Sequence, residues 1–149
     1  MRFTTKAEYG IIALLYLAKS DDGAPCTARD IAGSEALSIE YVEKLLNRLK
    51  QCGLVTSQRG PGGGYCLAKP AGEITMRHLI EALDGYTFQT FCVDEVRENI
   101  VCNHLAKCGL GDIWHGLKSS IDTYLDSVTL EQLLHRSHVS DKAKAGLPL

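Results

Sequence analysis

The chain has 149 residues, 45% of them hydrophobic, and a formal net charge of −2, which suits one globular domain plus an extension with enough apolar content for a core. No run approaches a membrane span, the apolar stretch Ile11–Ala18 being too short, and no export signal precedes the helical pattern that follows Met1–Lys6, so a cytoplasmic protein with no membrane partner is expected. The charge is uneven: residues 1–70 carry nine basic and seven acidic side chains, a balance of +2, whereas residues 71–149 carry seven and eleven, a balance of −4, which makes the first half the one suited to nucleic acid.

Thr5–Lys19 reads as the first helix, with Ile11, Leu14, Leu15 and Ala18 on its core face and Thr5 and Glu8 in capping-box positions. Asp21–Pro25 is a turn. Thr27 then caps a short second helix, with Asp30 in its first turn and Ile31 pointing inward. Gly33–Leu37 reads as the turn of a helix-turn-helix. Ser38 caps the third helix, where Tyr41, Val42, Leu45, Leu46 and Leu49 recur at helical spacing and Gly53 closes the last turn. Leu54–Ser57 and Tyr65–Leu67 form a hairpin around the Gly-rich turn Gln58–Gly64. A helix followed by a hairpin with a basic, Gly-rich tip is the recognition helix and wing of a winged helix-turn-helix, spanning residues 1–70. Ser38, Glu40, Tyr41 and Lys44 are expected to face the major groove, where Glu40 can accept from cytosine N4. Arg2, Thr27, Arg59, Gly62 and Gly63 are expected on the DNA backbone or minor groove.

Residues 71–136 form a second unit. Thr75 caps a helix carrying Met76, Leu79, Ile80 and Leu83, which ends near Gly85. From Tyr86 to Gly111 periodicity fails, and a connection that long usually carries function. Asp112 opens the longest helix, with Ile113, Leu117, Ile121, Tyr124, Leu125 and Val128 on one stripe and Trp114 beside it. A lone helix with such a stripe needs a partner, and the economical one is the same helix of a second chain, giving a homodimer. Thr129 and Gln132 start a short helix through Leu134, and the polar residues 137–149 read as a disordered tail. The expected fold is mainly α with a small β-hairpin wing: a winged helix-turn-helix plus a long C-terminal dimerisation helix.

Of the six cysteines, Cys26, Cys52 and Cys66 are scattered and read as small buried hydrophobes. Cys92, Cys102 and Cys108 fall within 17 residues, separated by nine and by five. In a reducing compartment such a group points to metal or redox chemistry rather than to disulfides. Thiolates hold iron–sulfur clusters, and the lack of a C-x-x-C pair makes structural zinc the weaker fit. A fourth ligand could come from His104, His115, Asp94 or Glu8. A cysteine-dependent enzyme is disfavoured, because Cys102 and His104 have no evident orienting group. A cluster-free regulator controlled by thiol oxidation or by a protein partner is the nearer rival.

The segments MRFTTKAEYG, LSIEYVEKLLNRLKQCGLV, RGPGGGYCLAKP, EITMRHLIEALDG and TLEQLL together resemble the Rrf-two family of bacterial winged-helix transcriptional regulators, over residues 1 to about 135. The resemblance implies a homodimeric regulator, a repressor in this reading, bound to a pseudo-palindromic site on double-stranded DNA. It also implies an iron–sulfur cluster on three loop cysteines, here Cys92, Cys102 and Cys108, sensing nitric oxide, redox state or iron. IscR-like members place a histidine ligand three residues after the last cysteine, where this chain has Gly111. NsrR-like members take a carboxylate from the first helix of the partner chain, a place that Glu8 matches. The resemblance therefore favours Glu8 as fourth ligand and a 4Fe–4S over a 2Fe–2S cluster.

Overall fold

The computed structural model describes residues 4–20, 23–90, 92 and 108–136. Helices α1 (Thr5–Lys19), α2 (Ala28–Glu35) and α3 (Ile39–Gln51) precede the antiparallel hairpin β1 (Val55–Gln58) and β2 (Gly64–Leu67). Helices α4 (Met76–Asp84) and α5 (Leu110–Ser127) follow, and residues 130–136 form a last helix, α6. The mostly helical winged helix-turn-helix architecture is the one expected.

Side-chain caps set most of the boundaries. Thr27 and Asp30 form a reciprocal capping box at α2, and Thr75 and His78 form another at α4. The Ser38 hydroxyl accepts the Tyr41 N–H at 3.2 Å and starts α3. Helix α2 runs to Glu35, so the expected turn is shorter and closes on left-handed Ala36. At the end of α3, the Leu54 N–H donates to the Leu49 carbonyl and the Gly53 N–H to that of Lys50, both at 3.0 Å. Gly53 has φ 71°, the left-handed geometry such a closure needs and which glycine adopts without Cβ strain.

The cap of α1 corrects the expected Thr5–Glu8 box. Thr4 is the cap, and its hydroxyl oxygen accepts the Ala7 N–H at 3.4 Å. The Thr4 N–H and hydroxyl also donate to Asp84 at the end of α4, at 2.9 and 2.5 Å. Two bonds to a distant carboxylate hold the chain one residue earlier than the local pattern suggested. Glu8 is left exposed in the first turn.

One core joins both halves of the chain. Leu14, Ile31, Leu46 and Leu49 from the first three helices pack in the same cluster as Ile74, Leu79, Leu83 and Leu130. Helix α1 lies so close to α4 that a Cβ at Gly10 would collide with Leu83. Thr75 and Thr129 form an isolated antiparallel bridge through Met76 N–H to Val128 O and Leu130 N–H to Ile74 O, each 2.8 Å, which anchors the end of α5 to the start of α4.

The apolar positions of α5 divide between two surfaces instead of forming the single expected stripe. Leu125 and Val128 are buried against the chain's own body, and Trp114 packs on Phe88 with ring centroids 6.0 Å apart. Leu110, Ile113, Leu117 and Tyr124 stay exposed, with Ile113 and Tyr124 each 63% accessible. No helix of the described residues is long and apolar enough to cross a membrane. The expected tail, residues 137–149, lies outside the described residues.

Candidate nucleic-acid interface and cysteine segment

Helix α3 buries Val42, Leu45, Leu46 and Leu49 and turns Glu40, Glu43, Lys44 and Asn47 outward. Glu40 and Lys44 thus stand on the outer face. Tyr41 is half-buried, its ring edge-on to Tyr9 with centroids 6.1 Å apart, so it supports the helix from behind. The hydroxyl of Ser38 is engaged as the cap. Glu43 and Asn47 were missed, although they lie three and seven residues after Glu40 and a helical projection puts them on its face.

The wing follows directly. Val55 pairs with Leu67 and Gln58 with Gly64 across the hairpin, so each strand is shifted or extended by one residue from its expected bounds. The sheet has a further partner that the sequence pattern did not reveal. Cys26 exchanges both backbone hydrogen bonds with Tyr65, at 3.0 and 2.8 Å, tying the lead-in to α2 onto β2. A Cβ at Gly64 would lie 2.6 Å from the Cys26 carbonyl oxygen, so this pairing requires glycine there. At the tip, a Cβ at Gly63 would strike the Gln58 carbonyl oxygen, and Gly62 has a positive φ of 81°. The tip is thus bare backbone with exposed Arg59 beside it.

Between wing and helices lies a cleft of about 470 Å³ lined by Thr27, Arg29, Glu43, Gly63 and Gly64 among others. Thr27 occupies the N-terminal end of α2, where partial positive charge favours an anion. Its hydroxyl donates to Asp30 at 2.6 Å and accepts the Asp30 N–H at 3.2 Å. The bond from the Thr27 hydroxyl first, and that from the Thr27 backbone N–H at 3.0 Å second, hold the Asp30 carboxyl below its ordinary range. Exposed Arg29 supplies a cation at this cleft that the sequence reading did not single out. Arg2 lies outside the described residues.

The fold ties the interface to α4. Arg48 Nε donates to the Ala82 carbonyl at 2.8 Å, while Lys50 Nζ donates to Ser57 Oγ on β1 at 2.5 Å and ties α3 to the wing. Helix α4 in turn grips α5 through charge. Arg77 pairs with Glu81 at 2.9 Å, Asp126 at 3.0 Å and Asp122 at 3.7 Å, and the first two hydrogen bonds raise its pKa further, keeping it cationic. Asp122 also accepts Lys118 at 2.6 Å and the Thr87 hydroxyl at 2.5 Å. Burial pushes the Asp122 carboxyl up, but the bonds from Lys118 and Thr87 and the two nearby cations outweigh it and hold the pKa below the usual value.

Thr87 and Phe88 open the cysteine segment, and both are buried against α5. Cys92 is half-buried four residues after Phe88, while Cys108 is exposed two residues before α5. Cys102, His104 and Asp94 lie outside the described residues. Among the described residues, no three His, Cys, Asp or Glu side chains come together at metal-binding spacing. His115 lies exposed on α5 beside Lys118 and Asp122. Of the other cysteines, Cys66 is buried as expected, and burial with Cys26 nearby raises its thiol pKa. Cys26 is half-buried and Cys52 exposed, contrary to the expectation of buried hydrophobes.

The sequence matches the Rrf2 family, described as iron-dependent transcriptional regulators, over residues 3–136. The chain belongs to the Rrf2 family. It is 37% identical over 143 residues to the HTH-type transcriptional regulator IscR of Photorhabdus laumondii, covering 96% of this chain and 85% of that protein. Its fold is similar to that of CymR, the global cysteine regulator of B. subtilis, with a TM-score of 0.71 at 28% identity, covering 91% of this chain and 98% of CymR. It is similar also to T. potens IscR, with a TM-score of 0.67 at 28% identity over 100% and 93% of the two chains. This Rrf2 protein is therefore a DNA-binding transcriptional regulator and not an enzyme.

Proposed function

We propose that this Rrf2 protein acts in the cytoplasm as a homodimeric repressor on a pseudo-palindromic promoter site, with its DNA affinity governed by an iron–sulfur cluster. Cys92, Cys102 and Cys108 of one protomer and the partner's Glu8 would hold it. The observation that carries this reading is the anchoring of the cysteine segment. Thr87 on Asp122 and Phe88 on Trp114 fasten its start to α5, and Cys108 leads straight into the same helix, so both ends of the segment are attached to one helix. The donor set of three thiols and a carboxylate fits a cluster, and the likeness to NsrR-like members favours 4Fe–4S over 2Fe–2S. Glu8 is exposed on the first turn of α1 and accessible to a second chain. When bound, a cluster supplies a group that reacts with nitric oxide and oxygen and reports iron supply. The protein's own part is mechanical: Asp122 and Arg77 link α5 to α4, and α4 holds the reader through Ala82 and Arg48.

Anaerobic reconstitution with iron and sulfide, read by absorption and Mössbauer spectra, tests this. The wild-type chain should take up a cluster, and alanine at Cys92, Cys102 or Cys108 should abolish it. Alanine at Cys26, Cys52 or Cys66 should not, and Glu8→Ala should give a cluster with an altered spectrum. A colourless wild-type protein would sink the reading. It would favour a cluster-free regulator controlled by thiol oxidation or a partner protein, for which the pairing of Cys26 with the wing at Tyr65 offers a thiol next to the DNA-facing hairpin.

A further inference from the structure

The outward arc of α3 holds side chains that the fold does not engage among the described residues, and Asn47 is the uncharged one at its centre. At 100° per residue, Glu40, Glu43, Lys44, Asn47 and Gln51 fall within an arc of about 100°. That arc lies opposite the buried Val42, Leu45 and Leu49. Asn47 stands near its centre, two turns beyond Glu40. Its neighbours are engaged inside the fold: Arg48 with the Ala82 carbonyl, Lys50 with Ser57, and Tyr41 with Tyr9. The Asn47 side chain is exposed and makes no hydrogen bond to any described residue. Asparagine is also a poor choice for a helix interior, because its amide competes for backbone partners. Neither helix stability nor packing accounts for it.

Its chemistry does. A carboxamide presents an acceptor and a donor side by side, which matches adenine N6–H and N7 on the major-groove edge. The helix carrying it is held at both ends, by the Ser38 cap and by the closure at Gly53, so the amide is offered from a fixed backbone. We propose that Asn47 is a base-reading residue that selects an A·T pair in each half-site, its oxygen accepting from adenine N6 and its NH2 donating to N7. The proposal rests on the reading that α3 enters the major groove.

The test is selection from randomised duplexes by the full-length wild type, Asn47→Ala and Asn47→Asp, followed by titrations of the selected site with 7-deazaadenine placed at the implicated position. Helicity of the three proteins is compared first. Asn47→Ala should lose preference at one symmetry-related pair of positions, with discrimination there falling roughly tenfold to hundredfold. Its salt slope should be unchanged, because no phosphate contact is lost. Asn47→Asp, which offers only acceptors, should turn away from adenine. The wild type should be penalised by 7-deazaadenine and the alanine variant should not. Unchanged base preferences in Asn47→Ala would overturn the proposal while leaving the recognition helix in place, as would a uniform loss of affinity with a flatter salt slope. A wild type that selects no sequence would bring down the recognition-helix reading, and this proposal with it.

Discussion

The Thr87 hydroxyl donates to Asp122 across 35 residues of sequence, at 2.5 Å, and fastens the start of the cysteine segment to the inner face of α5. The same carboxylate takes Lys118 and faces Arg77, so one acidic group joins the segment, the long helix and α4.

That arrangement makes stability pH-dependent. The folded-state pKa of Asp122 is lowered from its ordinary 3.8, so its contribution is complete above that value and fades as pH falls below it. Asp122→Asn should lower stability at pH 7 by about 2 kcal/mol, less than the roughly 3–5 kcal/mol of a fully buried broken pair, because Lys118 remains partly solvated. The variant should also show a shallower loss of stability below pH 4. Urea unfolding between pH 3 and pH 7 measures both; parallel curves for variant and wild type would show that the carboxylate is not linked to folding.

The exposed face of α5 makes a second expectation. Leu117 is 42% accessible and Ile121 half-buried. If that face is the seam between two copies, replacing both with Asp places like charges in an apolar contact and should yield monomers in sedimentation equilibrium. Binding to a two-half-site duplex should weaken in step. A double variant that remains dimeric puts the seam elsewhere.

Arg59 stands at the tip of the wing, exposed and next to bare glycine backbone. Arg59→Ala should weaken binding to all sequences alike and reduce the slope of log affinity against log salt by about one unit. Titrations from low to high salt read the slope directly. Equal slopes and affinities would make the wing an ordinary turn.

Local chemistry made much of this protein legible in its sequence. Thr27, Ser38, Thr75 and Gly53 mark helix ends because a cap depends on residues within a turn of it. The buried face of α3 follows from the spacing of Val42, Leu45, Leu46 and Leu49, since helical periodicity needs no knowledge of the partner surface. The grouping of Cys92, Cys102 and Cys108 was visible as spacing alone. Contacts across long stretches of chain decided the rest. Asp84, 80 residues away, holds Thr4 rather than Thr5 as the cap of α1. Cys26 joined the wing through backbone bonds that carry no side-chain signature. Packing against the rest of the chain divided the apolar residues of α5, burying Leu125 and leaving Leu117 outside. A helix stripe records which residues are apolar, but which of them meet their own chain depends on where the neighbouring helix lies.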